Sequence, residues 1–215
     1  MILLQTEELL AINKPVGLPS TGRTLDDPES AQFVAQELVG APLWALHQLD
    51  RDTSGVLLFA RRKSAVAEWQ ARWPRLKKRY LAAVHGAFTG PRHVRLPIAP
   101  LKGPGPRRVS IAVDDDGLAK SAHTEVHLLD NAGPYSLVEC TLHTGRTHQI
   151  RVHLEAIGHP LIGEGVYTDI PCGFHPSPAL HALSLDEITA PVPAELQALL
   201  KKMGLTLPTE IPCAS

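Results

Sequence analysis

Residues 47–60 read HQLDRDTSGVLLFA, a polar turn that leads directly into a continuous apolar run. The run GVLLFA at 55–60 lacks the alternation of a half-exposed strand, which predicts a strand buried on both faces. Asp50 and Asp52 stand just before it, where aspartate is common because its side chain bonds nearby backbone N–H groups. The segment therefore predicts a buried strand preceded by a turn that carries carboxylates.

The N-terminal part of the chain predicts one strand and one helix. Residues 9–17, LLAINKPVG, favour a short apolar strand that its proline and glycine stop. A helix is expected with Asp27 as its N-cap and Gly40 just past its end. Val34 and Leu38 lie four residues apart, so we expect them to share the buried face of this helix.

The middle of the chain predicts a second helix, a strand and a long loop. Ser64 is the expected N-cap of the helix and Pro74 its end, and the apolar face consists of Val66, Trp69 and Trp73. Residues 79–86, RYLAAVHG, read as a strand. The stretch 89–118 is rich in glycine and proline and is expected to wrap the surface.

Two further strands, at 121–129 and 136–143, are separated by turn residues. Thr147 is the expected N-cap of a helix whose apolar positions are Ile150, Leu154 and Ile157. A last helix starts at Pro193 and closes at Gly204, and one face carries Leu196, Leu199, Leu200 and Met203. This order of elements predicts a single α+β domain over residues 1–215.

The composition is that of a globular protein of 215 residues, with 44% hydrophobic residues and no apolar run long enough for a membrane span. Glu7 and Glu8 interrupt the apolar N-terminus, which argues against a signal peptide. The three cysteines form no C-x-x-C pair, which favours a reducing cytosol over a disulfide framework or a cysteine zinc site. We therefore expect a cytoplasmic protein with no membrane partner.

The net charge of −1 conceals a strong asymmetry along the chain. Residues 51–108 hold fourteen Lys and Arg but only two acids, near +12, and the other residues are near −13. Such a chain can present a positive face to a polyanion while staying neutral overall. The alternative is that these Lys and Arg are scattered, solvated positions, because linear clustering does not guarantee spatial clustering.

Three segments could carry chemistry: HQLDRDTSG at 47–55, KKRYLA at 77–82 and TGRTHQIRVHL at 144–154. Each also has an ordinary interpretation. Asp50 could cap a turn, Tyr80 could be a half-buried strand residue, and His148, Arg151 and Glu155 could form the solvated face of an amphipathic helix.

Together these segments resemble the RluA-type pseudouridine synthases. The family signature H-R-L-D-x-x-T-S-G matches residues 47–55, and its G-R-T-H-Q-I-R segment matches 145–151. Weaker matches are NKPVG at 13–17, KSAHT at 120–124, GHPLIG at 158–163 and LHA at 180–182. The resemblance implies one catalytic domain with a mixed, mostly antiparallel sheet, flanking helices and an RNA-binding cleft. The family often carries an extra N-terminal RNA-binding domain, but this chain begins almost at once with the catalytic opening, so we expect that separate domain to be absent.

The resemblance further implies isomerisation of uridine to pseudouridine in ribosomal RNA or tRNA. Asp50 would be the nucleophile, Arg151 the cation that keeps it ionised, and Tyr80 the residue that packs on the target base and acts in removing the C5 proton. No redox step occurs, so no cofactor is expected. The residues expected to contact RNA or substrate are His47, Gln48, Leu49, Arg51, Thr53, Lys77, Lys78, Arg79, Arg146, His148 and Ile150.

Gln48 departs from the family pattern, which has arginine after the first histidine. That arginine enters the space vacated by the flipped nucleotide. Gln keeps hydrogen-bonding capacity but loses charge and cation–π stacking. Either Arg51 takes over this task, or the natural target is a loosely stacked nucleotide that costs less to extract.

Two other interpretations compete with an RNA-modifying enzyme. His143, His148, His153 and His159 could suggest a metal site, but their spacing is not that of helical metal ligands, so no metal is expected. The Asp-rich segment 114–117 lacks calcium-loop spacing and reads as a hairpin turn. A non-catalytic RNA-binding protein with the same fold is the second alternative. We expect a monomer whose partner is RNA.

Overall fold

A computed structural model describes residues 2–24, 27–101, 109–112, 117–170 and 175–208. The backbone packs into two compact units. The first comprises residues 1–80, 141–143 and 180–192, and the second comprises 81–140, 144–179 and 193–215. The expected single domain, without a separate N-terminal RNA-binding domain, stays a prediction.

The described residues form twelve strands and four helices. The strands are β1 (Ile2–Gln5), β2 (Leu9–Lys14), β3 (Trp44–Ala45), β4 (Ser54–Ala60), β5 (Lys78–His85), β6 (His93–Val94), β7 (Ile98–Pro100), β8 (Val109–Ile111), β9 (Thr124–Ala132), β10 (Tyr135–Leu142), β11 (Leu180–Leu185) and β12 (Ile188–Thr189). The helices are α1 (Ala31–Val39), α2 (Val66–Arg72), α3 (Gln149–Ala156) and α4 (Ala194–Lys202). Among these residues no helix is long and apolar enough to cross a membrane.

Strand β4 organises the first unit. The strands lie in the order β1-β2-β4-β11, and β3 pairs with β4 and β12 with β11. All of these pairs are antiparallel except β4 with β11, which makes the sheet mixed. All seven residues of β4 are buried, so the predicted two-sided burial is confirmed.

The two faces of β4 contribute to two different apolar clusters. Val56, Leu58 and Ala60 belong to one, against which Val66 and Trp69 of α2 pack, together with Trp73 directly after the helix, as predicted. Leu57 and Phe59 belong to the other, which α1 covers with Ala31 and Ala35. Alternate side chains of a strand point to opposite faces, so the strand requires apolar residues at every position.

Two predictions for α1 are wrong. Ser30 is the N-cap, and its hydroxyl accepts the N–H of Phe33. Asp27 instead accepts the N–H groups of Arg23 and Glu29. Val34 and Leu38 are exposed, whereas Ala31, Gln32 and Ala35 are buried. Small residues let the helix approach the sheet closely, and the Gln32 amide donates to the carbonyl of Leu43 at 2.7 Å. Gly40 does end the helix, in the left-handed conformation.

The predicted cap of α2 is also wrong, because a 3₁₀ turn at Lys63–Ala65 precedes the helix and no side chain caps it. Pro74 lies in a second 3₁₀ turn, Trp73–Arg75, directly after the helix. In the second unit α3 begins after His148, which adopts φ 51°, rather than after Thr147. The buried face and closing Gly204 of α4 are as predicted.

The second unit contains strands in the order β5-β10-β9-β6, with β5 entering it from residue 81 onward. The stretch 89–118 was expected to lie on the surface, yet its described part forms β6 and the antiparallel pair β7-β8. Ile98 and Val109 from this pair pack with Val152 of α3 in an apolar cluster. This packing explains why part of the segment is buried.

Gly55 is required where β4 meets β11. Its φ is +113°, and a Cβ atom there would lie 2.1 Å from the carbonyl oxygen of Ala182. We expect Gly55→Ala to lower the free energy of unfolding by at least about 3 kcal/mol, since backbone must move to relieve the clash. Chemical denaturation measures this. Gly145→Ala is the control, because no atom lies within 4 Å of its new Cβ. Equal losses for both variants would contradict the close approach.

Candidate active site

The turn that carries Asp50 is fixed by hydrogen bonds on both sides. Before it, Ser20 Oγ donates to the carbonyl of buried Leu49 at 2.7 Å and accepts its N–H at 2.8 Å. After it, the Arg51 carbonyl accepts the Gly17 N–H at 2.9 Å. The Thr53 N–H donates to the Asp50 carbonyl at 3.0 Å and closes the turn. The backbone that carries the Asp50 carboxylate is therefore fixed by hydrogen bonds on both sides.

A buried lysine supports the same turn. Lys14 is 0% exposed, and its ammonium donates to the carbonyls of Pro15, Leu18 and Arg51 at 2.9, 2.7 and 2.9 Å. Burial lowers the pKa of Lys14 to about 8, and the nearby Asp52 and Asp50 oppose that shift. The sequence placed Lys14 in a family-like motif, but lysine is rarely buried, so its role was not visible there.

Tyr80 belongs to the surroundings of Asp50. Its ring packs against the apolar cluster that contains Leu49. Burial raises the pKa of the Tyr80 hydroxyl, and the Asp50 charge raises it further. The hydroxyl is therefore protonated at neutral pH. The structure thus places three predicted site residues, Leu49, Asp50 and Tyr80, within one region of the first unit.

The remaining residues of this segment divide into internal and exposed groups. His47 stacks on Trp73 with ring centroids 4.4 Å apart, and its Nε2 accepts the Leu58 N–H at 3.0 Å. Thr53 is buried. Gln48 is exposed and donates to Thr21 Oγ1 at 3.1 Å. Of these three, Gln48 is exposed, His47 is half-buried and Thr53 is buried.

Exposed Arg51 is held by the turn as well. Its Nε donates to the carbonyl of Gly17 at 2.8 Å, in addition to the bond that its own carbonyl accepts from Gly17. The guanidinium thus helps to connect the loop at Gly17 to the turn at Arg51.

A buried serine–histidine pair behind the turn was not predicted. Ser54 Oγ lies 2.8 Å from Nδ1 of His181, whose Nε2 lies 3.3 Å from the Ala190 carbonyl. Because Nε2 faces a carbonyl it carries the proton, so Nδ1 accepts from the Ser54 hydroxyl. The pair joins β4 to β11 at the register position where Ser54 faces His181. The T-S-G and L-H-A matches were its only sequence signal.

The basic segment is less uniform than its composition suggests. Lys78 is buried, and its ammonium donates to the carbonyls of Trp73 and Leu76 at 3.0 and 2.8 Å, which does not support its predicted contact with RNA. Lys77 and Arg79 are half-buried. Three arginines pair with acids, as Arg62–Glu8, Arg72–Glu68 and Arg92–Glu125. Lys102, Arg107 and Arg108 lie outside the described residues.

In the second unit, Gln149 builds the turn that precedes α3. Its Oε1 accepts from the Thr144 hydroxyl and the Arg146 N–H at 2.7 and 3.0 Å. Its Nε2 donates to the His123 carbonyl and Thr124 Oγ1 at 3.0 and 2.9 Å. A buried side-chain amide can accept hydrogen bonds at its oxygen and donate them at its nitrogen, and here both groups hold the loop. This explains why the motif carries glutamine.

The predicted site residues of this motif lie in or directly after that turn. Arg146 Nε donates to the carbonyl of Ser121 at 3.0 Å. His148 Nδ1 lies 2.6 Å from the Tyr167 hydroxyl, and Ile150 is buried. Arg151 is 7% exposed, so the interpretation of a solvated helix face is wrong for it.

Arg151 forms a two-point ion pair with Glu164. Nε and Nη2 donate to the two carboxylate oxygens at 2.7 and 2.8 Å. The guanidinium also lies 5.3 Å from the centre of the Tyr167 ring. Sequence reasoning missed Glu164 and Tyr167, whose only signal was their position directly after the family-like GHPLIG.

No group of three or more His, Cys, Asp or Glu suited to a metal occurs within the described ranges. His153 bonds the Thr124 hydroxyl and the Leu96 carbonyl at 2.9 Å each, and His159 Nδ1 lies 3.1 Å from the His85 carbonyl. The predicted turn at 114–117, apart from Gly117, and Cys172 and Cys213 lie outside the described residues.

Comparison with known sequences identifies the family. Residues 8–156 match the family model described as RNA pseudouridylate synthase. The chain belongs to this family. The resemblance to RluA-type synthases is thereby confirmed.

Several curated relatives share this assignment. An RNA pseudouridine synthase of Chloroflexus aurantiacus is 42% identical over 174 residues, covering 74% of this chain and 52% of the relative. Ribosomal large subunit pseudouridine synthase D of Zymomonas mobilis is 36% identical, covering 77% and 55%. tRNA pseudouridine synthase C of Pasteurella multocida is 37% identical, covering 79% and 74%. The match spans about half the length of the first two relatives.

Among solved structures, human RNA Pseudouridylate Synthase Domain Containing 4 superimposes with a TM-score of 0.77 at 24% identity, covering 97% of this chain and 94% of that one. This agreement confirms the α+β pseudouridine synthase fold with its mixed, mostly antiparallel sheet.

In this family member, His47 should make stability depend on pH. Burial, with a smaller effect of the Lys78 charge, lowers the pKa of His47 from 6.5 to about 3. The unfolded chain therefore takes up the proton first as pH falls, so the free energy of unfolding should drop between about pH 6.5 and 3. Denaturation across this range should show a flatter decline for His47→Gln than for wild type. His143→Gln, at an exposed position, is the control. Parallel curves for all three proteins would refute this role of His47.

Proposed function

We propose that the protein isomerises uridine to pseudouridine in ribosomal RNA or tRNA, with Asp50 as nucleophile and with the target base flipped out of its stack. The observation that carries the proposal is the stapled turn that holds Asp50 beside Tyr80. The names of the relatives support both substrate classes. A cytoplasmic location and a monomeric state are part of the proposal.

The proposed reaction conserves all atoms. A carboxylate oxygen of Asp50 attacks the sugar carbon or the uracil ring, and the C1′–N1 bond breaks. The uracil rotates, C5 bonds to C1′, and the enzyme is released. C5 then gives up its proton and N1 gains one. No electron acceptor or imported group enters this balance, so the reaction requires no cofactor.

Tyr80 is proposed to take part in the loss of the C5 proton. While Asp50 is ionised, burial and the Asp50 charge both keep the Tyr80 hydroxyl protonated. A protonated phenol can relay the C5 proton, because its oxygen accepts one proton as its own passes to a second acceptor.

Arg151 is proposed as the cation that favours the ionised nucleophile. Its two-point pair with Glu164 leaves the guanidinium charged and fixed in orientation. The phosphate contacts are assigned to Lys77, Arg79 and Arg146, with Gln48 at the flipped nucleotide. Lys78 is left out because its ammonium already binds two carbonyls.

The test separates catalysis from binding. Asp50→Asn should abolish pseudouridine formation, because a neutral amide cannot attack carbon, while RNA affinity stays within about twofold. Asp52→Asn is the matched control, since it removes a carboxylate two residues away and should retain turnover. Pseudouridine mapping on RNA incubated with purified protein gives the readout. Turnover by Asp50→Asn near that of wild type would sink the nucleophile assignment, and binding without product by wild type would favour a non-catalytic RNA-binding protein.

Gln48 is proposed to select loosely stacked targets. Arg51 is tied to Gly17 through its Nε, which disfavours it as the substitute for the family arginine. Gln48→Arg should therefore raise the rate on a stem uridine relative to an unstructured RNA, because a planar guanidinium stabilises the vacated stack. Arg51→Ala should leave the ratio of the two rates unchanged. A selective loss on the stem RNA in Arg51→Ala would show instead that Arg51 fills the gap.

A further inference from the structure

The guanidinium of Arg151 is held on an edge and a face by residues of the turn that follows α3. Nε and Nη2 of Arg151 donate hydrogen bonds to separate carboxylate oxygens of Glu164. The centre of the Tyr167 ring lies 5.3 Å from the guanidinium carbon. The Arg151 and Glu164 side chains are 8% and 0% exposed. Two parallel bonds fix the plane of the guanidinium as well as its distance, which a single bond would not do.

Glu164 is itself anchored to rigid backbone. Its Oε1 accepts the N–H groups of Val166 and Tyr167 at 2.8 and 3.3 Å. Burial alone would raise the pKa of Glu164, but the hydrogen bonds and charge of Arg151, with these two N–H groups, hold it below its usual value. The carboxylate is therefore ionised and cannot rotate without losing several bonds.

The backbone at 162–164 is also fixed. The Ile162 N–H donates to the carbonyl of Ala83 in β5 at 2.9 Å, and the Ala179 N–H donates to the Ile162 carbonyl at 2.8 Å. Gly163 has φ +77°, and a Cβ there would lie 2.2 Å from the Ser177 carbonyl oxygen. This close approach sets the turn that directs Glu164 toward α3.

Tyr167 connects the pair to the turn before α3. Its hydroxyl lies 2.6 Å from Nδ1 of His148, the residue in the left-handed conformation at the start of the helix. Its ring packs against the apolar cluster of Ile98, Val109, Ala122 and Val152. The ring is thus held at one end by a polar contact and along its body by the core.

Stability alone is a poor explanation for such a pair. Removing two charges from water costs several kcal/mol per ion, and a buried ion pair often does no better than an apolar pair of the same volume. What the arrangement does provide is a single orientation for one cation.

We infer that Glu164 is a positioning residue, which fixes the Arg151 guanidinium in the orientation that the isomerisation requires. The inference rests on the proposed function and deepens it, because it assigns a determinant of turnover outside the motifs that resemble the family signatures. In this role Glu164 acts through Arg151.

The variants are Glu164→Gln, which keeps one acceptor oxygen and loses the charge, and Glu164→Asp, which keeps the carboxylate on a shorter side chain. Glu155→Gln removes a carboxylate from α3 itself and is the matched control. Glu164→Gln should slow single-turnover pseudouridine formation at least tenfold, since small misplacements of catalytic groups cost up to about 100-fold. RNA affinity should stay within about twofold, and Glu164→Asp should recover part of the rate. Glu155→Gln should match wild type.

Nitrogen NMR of arginine side chains reports the orientation directly. Wild type should show a slowly exchanging Nε–H signal that Arg151→Lys removes, and Glu164→Gln should lose the same signal while keeping its thermal midpoint within a few degrees. An unchanged turnover rate in Glu164→Gln would overturn the inference, as would equal losses of rate, affinity and midpoint in both Glu164→Gln and Glu164→Asp. Absence of pseudouridine with wild type is a different result, because it overturns the proposed function first.

Discussion

The first unit depends on the contact between β4 and β11, where a glycine lets two backbones meet. At Gly55 the Ala182 carbonyl occupies the space of a side chain, and one residue earlier Ser54 bonds to His181. This parallel pair interrupts an otherwise antiparallel arrangement. It sets where β4 begins, and therefore where the preceding turn must deliver Asp50.

The polar groups around that turn illustrate how a charged site is kept inside a packed structure. The Lys14 ammonium donates to three carbonyls, and the Ser20 hydroxyl bonds both backbone groups of Leu49. A buried polar group without partners would cost free energy, whereas a satisfied network specifies one conformation. In the second unit Gln149 has the same function with four bonds from one amide.

The parts of the fold that were predictable from the sequence are those fixed by a pattern of apolar residues. The uninterrupted run of β4 and the spaced leucines of α4 are examples. The face of α1 was not predictable, because Ala31, Ala35 and a buried glutamine carry little hydrophobic signal, whereas the larger Val34 and Leu38 face solvent. The motifs located Asp50, Tyr80 and Arg151, but not Glu164, whose contact with Arg151 spans thirteen positions and follows from a turn at Gly163. The burial of Lys14 and Lys78 was not predictable either, because lysine is normally solvated.

The burial of β4 on both faces has a consequence for how the protein loses activity. Segments with many buried contacts exchange their amide hydrogens only through large-scale opening, whereas exposed loops open locally. Asp50 follows the stapled residue Leu49 and lies a few residues before β4, whose side chains are all buried. Asp50 thus adjoins the fully buried strand of its unit. With Asp50 as the proposed nucleophile, inactivation and unfolding of that unit should therefore coincide on heating, with no inactive but folded state in between.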